Sequence, residues 1–245
     1  MSKKNSLNKP NEQYFSAQPS TEDERKNITV SLRGTDYEVT VSRSVFSTHR
    51  LDLGTKVLLD RIPSPDYLDD TGAQHAPHIL DIGCGWGPIS IAAAAEAPQN
   101  AVVWALDVNE RAVELTDLNA KRAGYTNVRA GTAESFAASY AQEWSNVTFD
   151  LMWSNPPIRI GKNDLHTLLL TYLPRLTVGG HAFMVVQKHL GADSLMSWLD
   201  ENLNATESTG TSTGTSTATE ERPAFAVSKF ASAKGYRIIE VEHLH

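Results

Sequence analysis

From His78 to Gln187, short apolar runs alternate with longer helical stretches, and this alternation restricts the fold more than any other feature of the chain. It predicts strands at His78–Ile82, Ala101–Asp107, near Val128, Thr148–Trp153 and His181–Gln187. Helices are expected between them at Pro88–Ala97, Glu110–Ala123, near Phe136–Trp144 and Asp164–Leu176. Repeated strand–helix–strand units build a parallel, doubly wound α/β sheet with helices on both faces. The helix ends carry their own signals. Pro88 sits in a first turn, where its missing N–H is tolerated, Asn109 suits a cap, and Gly124 suits a stop.

A further helix is expected at Ala192–Leu203. Phe225–Ser232 and Tyr236–Glu242 then flank Ala233-Lys234-Gly235 as a closing hairpin, so the sheet finishes antiparallel and totals seven strands. Upstream, period-two apolar positions (Ile28, Val30, Leu32, then Tyr37, Val39, Val41) surround Arg33-Gly34-Thr35-Asp36 and predict a small N-terminal β-hairpin. A helix from Lys56 to Ile62 should follow, ended by Pro63 and Pro65. The expected organisation is a disordered polar tail over 1–27, a hairpin-and-helix extension over 28–77, and an α/β domain over 78–245. A flexible Thr/Ser-rich insertion interrupts that domain at 204–222.

Composition narrows the function classes. The net charge is −7, from 22 basic and 29 acidic residues. That argues against a chain coated with nucleic acid, while leaving room for a local basic face. No run of about 18 apolar residues exists to span a membrane. The N-terminus lacks the apolar stretch of a secretory signal. A lone cysteine, Cys84, forbids an internal disulfide and fits a reducing cytoplasm. No Cys/His cluster has zinc spacing, so no metal is expected.

Two strand ends carry the chemistry. Leu80-Asp81-Ile82-Gly83-Cys84-Gly85-Trp86-Gly87-Pro88 runs from a strand through a glycine loop into a helix. Glycines let a backbone approach a ligand closely. The spacing is G-x-G-x-G with Pro88 in the last slot, which departs from the dinucleotide pattern, and no P-loop Lys follows. Asp81 can accept from loop amides or bind a ligand ammonium group. Asp107, with Val108 and Asn109, ends the next strand where an acid can meet ribose hydroxyls. Glu134 can accept from an adenine amino group, or serve as a helix-start acid. Cys84 reads as a packing residue of the loop, because no partnered base is evident.

The second strand end is Trp153-Ser154-Asn155-Pro156-Pro157-Ile158-Arg159-Ile160-Gly161-Lys162. Proline pushes the residue before it to an extended conformation, so Asn155 is held at the strand end. Its side chain and the prolyl carbonyls are rich in acceptors and poor in donors, which suits an exocyclic amino group. A plain strand-terminating turn is the alternative on these residues alone.

Taken together, D-x-G-C-G-x-G, the acid of the second strand and N-P-P after the fourth resemble S-adenosylmethionine-dependent methyltransferases. The similarity is greatest to the small-domain group that includes ribosomal RNA guanine-N2 methyltransferases. It runs from about Tyr14 to the C-terminus and takes in Val45-Phe46-Ser47 and Leu51-Asp52-Leu53-Gly54. The resemblance implies a Rossmann-like fold, S-adenosylmethionine as cofactor, and ribosomal RNA or a ribosomal subunit as partner. It implies that Asp81, Gly83, Cys84 and Gly85 hold the methionine part, Asp107, Val108 and Asn109 the ribose side, and Glu134 the adenine. Asn155 and Pro156 would grip the amino group, beside Pro157, Ile158, Phe46, Arg159 and Lys162 on the substrate side. Amino-methylating relatives usually carry an aromatic residue where this chain has Ile158, so stacking would come from Phe46 or Trp153, or be replaced by apolar contact; a core strand position is the stronger reading of Trp153. Arg159, Lys162, Lys188, Lys229, Lys234 and Arg237 are expected on loops or strand ends bordering one sheet edge, where they can hold phosphates. The rival functions are methylation of a glutamine amide or of adenine N6, a non-catalytic ribosome-assembly factor, and a nicotinamide dehydrogenase.

Overall fold

The computed structural model describes residues 23–43, 45, 50–69, 76–205 and 223–245. Phe46, most of the expected tail, and most of the Thr/Ser-rich stretch lie outside them. Five parallel strands form the sheet centre: β3 (His78–Ile82), β4 (Val102–Leu106), β5 (Val128–Gly131), β6 (Phe149–Ser154) and β7 (Leu176–Gln187). The closing hairpin, β8 (Phe225–Ala233) and β9 (Tyr236–His243), completes it with β9 antiparallel to β7. The order is β5-β4-β3-β6-β7-β9-β8, which makes the fold Rossmann-like. Chain order reverses between β3 and β6, the position where open α/β sheets hold ligands beyond their strand ends.

Strand residues alternate between two cores because both faces are covered. Ile79, Val103, Val185 and Ile238 face one cluster with β1 (Arg25–Leu32), β2 (Thr35–Ser42), α1 (Leu53–Leu59), α2 (Pro88–Glu96) and α3 (Glu110–Arg122). Leu80, Trp104, Met184 and Ile239 face the other, with α4 (Ala133–Ser139), α5 (Ala141–Asn146), α6 (Lys162–Tyr172) and α7 (Ala192–Leu203). The β1–β2 hairpin thus shares the core of the large sheet.

Several boundaries differ from the sequence expectation. Helix α1 starts at Leu53 because the Asp52 carboxylate accepts the Thr55 N–H and caps it. Helix α6 stops at Tyr172, since Pro174 turns the next residues into a 3-10 turn. Strand β7 then begins at Leu176, five residues early, and a register shift opposite Phe149 and Leu151 absorbs the difference. The stretch around Phe136–Trp144 is two short helices that meet at Tyr140.

One side chain joins the hairpin to the glycine loop. Asn119 is fully buried, and its Oδ1 accepts the Thr40 N–H at 2.7 Å. Its Nδ2 donates to the carbonyls of Thr40 and Trp86, each at 2.9 Å. A buried amide that satisfies three backbone groups is costly to remove, because each orphaned group carries a desolvation penalty of about 1–3 kcal/mol. Asn119→Leu is expected to lower stability by about 2–4 kcal/mol after partial relaxation, read as a reduced urea midpoint at unchanged slope. The ends of the Thr/Ser-rich stretch are stapled as well. Asn204 accepts the Phe225 N–H and donates to its carbonyl, both at 2.9 Å. Replacing residues 206–222 by a short Gly/Ser linker should therefore leave the melting temperature nearly unchanged, whereas Asn204→Ala should lower it.

Candidate active site

The carboxyl ends of β3, β4 and β6 bring the chemistry-bearing residues together. The glycine loop after β3 has positive φ at Gly83 (81°), Gly85 (61°) and Gly87 (94°), which explains the residue choice. Its donors are turned inward. The N–H groups of Gly83 and Cys84 bond the Leu106 carbonyl at 2.8 and 3.0 Å, and Gly87 N–H bonds the Cys84 carbonyl. Gly85 N–H donates to Asp107 Oδ2 at 3.0 Å. A phosphate cradle needs such groups open; this loop keeps these four for its own backbone and a carboxylate.

Asp107 is the tie. Its Oδ1 accepts the Asn109 N–H at 2.9 Å, while its own N–H reaches the Gly131 carbonyl on β5. Burial pushes its carboxyl up to about 6, against the pull of the backbone N–H groups of Asn109, Gly85 and Val108. Asn109 is buried and caps α3 by accepting the Arg111 N–H. Val108, by contrast, is 54% exposed, an apolar side chain standing open beside the acid.

Asp81 differs from the expectation that it accepts loop amides. It is fully buried on the strand, and its Oδ2 takes the Ser90 hydroxyl at 2.5 Å from the first turn of α2. Its Oδ1 is buried with no partner. Burial pushes the carboxyl up to about 7, partly offset by bonds from Ser90 and reinforced by the nearby Asp107 charge. A buried, unpaired acceptor beside a second acid disfavours a pyrophosphate nearby. Cys84 is a buried packing residue. Its Sγ accepts from Thr116 Oγ1 at 3.4 Å, and burial raises the thiol well above its ordinary range. Glu134 is exposed in the first turn of α4, which Thr132 caps.

The acceptor turn of β6 closes the site. A methyl group placed on Gly83 would lie 3.6 Å from Pro157 Cδ and 3.8 Å from the Asn155 carbonyl oxygen, so the two loops are in contact. Asn155 Nδ2 donates to Asp52 Oδ2 at 2.9 Å and to Thr55 Oγ1 at 3.0 Å. Asp52 and Thr55 are site neighbours that the sequence reading missed; the available signal was an Asp placed to cap a helix. The Pro156 carbonyl accepts the Ile158 N–H at 2.8 Å, leaving one lone pair for a ligand. Ile158 is half-buried against the core and Arg159 and Lys162 are exposed.

Three expectations need correction. Trp153 is fully buried and cannot stack on a substrate. Arg237 is paired with Asp193 and its Nε is buried, so it is no open phosphate ligand. Lys229 sits in mid-strand opposite Ile239. Lys188 and Lys234 lie near each other at the end of β7, where Lys188 N–H bonds the carbonyl of Gly235, next to Lys234. Among the described residues no helix is long and apolar enough to cross a membrane, and no group of three or more His, Cys, Asp or Glu side chains could hold a metal.

Comparison with known proteins gives this arrangement a family. The methyltransferase small domain profile matches residues 36–214. The uncharacterized protein YbxB of Bacillus subtilis is 34% identical over 190 residues, which is 78% of this chain and 88% of that protein. Ribosomal RNA large subunit methyltransferase G of Vibrio vulnificus is 30% identical over 67% of this chain, and the match spans only 42% of its own length. The T. thermophilus 16S rRNA N2 methyltransferase RsmC, solved with AdoMet and guanosine, superposes with a TM-score of 0.63. It is 18% identical, and the superposition covers 91% of this chain and 51% of that one. The profile match over most of the chain decides the matter: the protein belongs to the methyltransferase small domain family.

Proposed function

We propose that this protein methylates an exocyclic amino group of RNA, with guanine N2 of ribosomal RNA as its target. The cofactor is S-adenosylmethionine, which supplies the activated methyl group. The observation that carries the reading is the contact between the glycine loop and the Asn-Pro-Pro turn, which sets an amino-binding acceptor beside the cofactor loop. The donor set fits the cofactor. Asp81, with its unpaired Oδ1, and the loop of Gly83, Cys84 and Gly85 would hold the methionine part with its ammonium group. Asp107 would take the ribose hydroxyls, exposed Val108 would cover the adenine, and Glu134 would accept from its amino group.

The remaining work is positioning. Asn155 Oδ1 and the open lone pair of the Pro156 carbonyl would each accept one N–H of the target. That orients its nitrogen lone pair at the transferable carbon. Such alignment can contribute up to roughly 7–11 kcal/mol. Arg159, Lys162, Lys188 and Lys234 would hold phosphates around a base splayed out of its stack. The relatives named as ribosomal RNA methyltransferases support an RNA substrate, and a cytoplasmic location would follow from it.

Calorimetry should show micromolar S-adenosylmethionine binding and no response to NAD; the reverse would overturn the cofactor assignment. Asp107→Ala should weaken binding by roughly 1.5–3 kcal/mol, the worth of hydrogen bonds to a charged group.

The buried acid adds a pH dependence with opposite signs for two quantities. Asp81 has its carboxyl pushed up to about 7 from an ordinary value of 3.8. Its contribution to stability is therefore complete below about pH 4 and is lost as pH rises through 7. Cofactor binding needs the charged form, so affinity should rise over the same interval, with a proton released on binding below pH 7. Asp81→Asn should raise the melting temperature of the ligand-free protein at pH 8 and abolish the proton release. Buffers of different ionisation enthalpy would measure the latter.

Asn155→Ala should lower turnover on the order of 10²–10³-fold, by analogy with loss of a transition-state hydrogen-bonding group, while sparing cofactor affinity. The assay is labelled methyl transfer to ribosomal RNA from a strain lacking the gene. N2-methylguanosine is the expected product; labelled glutamine in protein would replace this reading with its first rival.

A further inference from the structure

We infer that Asp52 and Thr55, at the start of α1, are positioning residues that lock the Asn155 amide in one orientation and strengthen its oxygen as an acceptor. The inference deepens the amino-methyltransferase reading and rests on it. Neither residue touches the glycine loop through a hydrogen bond, and both act through Asn155.

Donor chemistry fixes the orientation of the Asn155 amide. An amide side chain presents an oxygen at one end and an NH₂ at the other, and a 180° flip exchanges them. An ionised carboxylate accepts only. The Asn155 end facing Asp52 Oδ2 at 2.9 Å must therefore be the nitrogen. Its second hydrogen is taken by Thr55 Oγ1 at 3.0 Å. With both hydrogens engaged, the flipped state would set the amide oxygen against a carboxylate. Oδ1 is left as the end of Asn155 available to a substrate, so the site selects a group that donates N–H.

Charge adds to geometry. Asp52 Oδ2 accepts both the Thr55 N–H at 3.1 Å and the Asn155 amide, so it caps α1 and polarises Asn155 at once. Polarisation along such a chain makes the far oxygen a better acceptor. It also sets a negative charge one residue removed from a nitrogen that becomes positive as it is methylated. The helix is brought this close because residue 54 is glycine. A Cβ there would meet Asp52 Oδ2 and Tyr236 Cε1, each at 2.9 Å, and Asn155 Nδ2 at 3.4 Å. Tyr236, on β9, in turn accepts from Gln187 Nε2 at 2.8 Å at the end of β7. Leu53, between Asp52 and Gly54 in the chain, is 43% exposed.

The test separates the amide lock from the helix cap. Asp52→Ser keeps a cap, because serine accepts the Thr55 N–H, but is too short to reach Asn155. Asp52→Asn keeps an oxygen for both donors. Thr55→Val removes one acceptor at constant shape. With S-adenosylmethionine and RNA from a gene-deleted strain, Asp52→Ser should lower kcat about 10–10²-fold, with KM and cofactor affinity within about twofold. Asp52→Asn should recover most of that loss. Thr55→Val should show a smaller kcat defect, and the double variant Asp52→Ser with Thr55→Val the largest.

A second readout does not depend on turnover. In ¹⁵N-edited spectra the Asn155 side-chain NH₂ pair, identified by its absence in Asn155→Ser, should be well resolved and slow to exchange. In the Asp52→Ser, Thr55→Val protein it should move to solvent-like shifts. Normal kcat in Asp52→Ser, an unchanged NH₂ pair, or equal loss of kcat, cofactor affinity and melting temperature would each overturn the inference. A wild-type protein inactive on RNA but with a protected NH₂ pair would overturn the proposed function and leave the lock standing.

Discussion

The carboxylate of Asp107 is the constraint on which the cofactor end of the molecule is built. One oxygen holds the glycine loop through Gly85, the other holds the start of α3 through Asn109, and its backbone N–H reaches Gly131 at the end of β5. Three neighbouring strands are thus fixed to one another at their carboxyl ends by a single residue. The same carboxylate has lone pairs left for a ligand hydroxyl. A group held in place by two backbone donors needs no reorganisation when a ligand arrives, which is what a preorganised site requires.

The N-terminal segment plays the matching part at the substrate end. Helix α1 is only seven residues long and would not persist alone. It is clamped at both ends. Asp52 and Thr55 join its start to Asn155. Arg33, at the tip of the β1–β2 hairpin, donates to the carbonyls of Leu59 and Ile62 at its end and pairs with Glu96 on α2 at 2.7 Å. Asn119 then anchors the hairpin to the loop carbonyl of Trp86. The hairpin therefore supports both halves of the site: the glycine loop through Asn119, and the acceptor amide through α1.

The sequence made the sheet and its two functional strand ends legible because each rests on local rules: apolar alternation, glycine at positive φ, and proline after Asn155. It did not reveal α1's true start, since Asp52 works as a cap only when Thr55 follows in helical geometry. Nor did it show which acid, Asp81 or Asp107, meets the loop amides. Both are acids at strand ends, yet only Asp107 faces the loop amides, while Asp81 turns to Ser90 on α2. Arg237 shows a related limit. Residue type suggests phosphate binding, but the partner Asp193 on α7 is distant in sequence, and Trp153 is buried because both sheet faces are covered. Long-range pairing of this kind leaves no periodic trace.

Asp81 shows why such a site does not minimise the energy of the empty protein. A carboxylic acid with one oxygen unpartnered in the core is a penalty on folding, and neutral asparagine would fill the same space. The penalty is greatest where the acid is charged, above about pH 7. On the proposed reading, a ligand cation would act on that same state, making the ionised form favourable and recovering solvation that the fold withheld. Binding and ionisation of Asp81 would then be one linked event. The inward-turned donors of the glycine loop complete the logic. With Gly83, Cys84, Gly85 and Gly87 N–H engaged by the protein itself, little remains to stabilise a phosphate, and on the proposed reading the two acids would set the sign of charge that the site accepts.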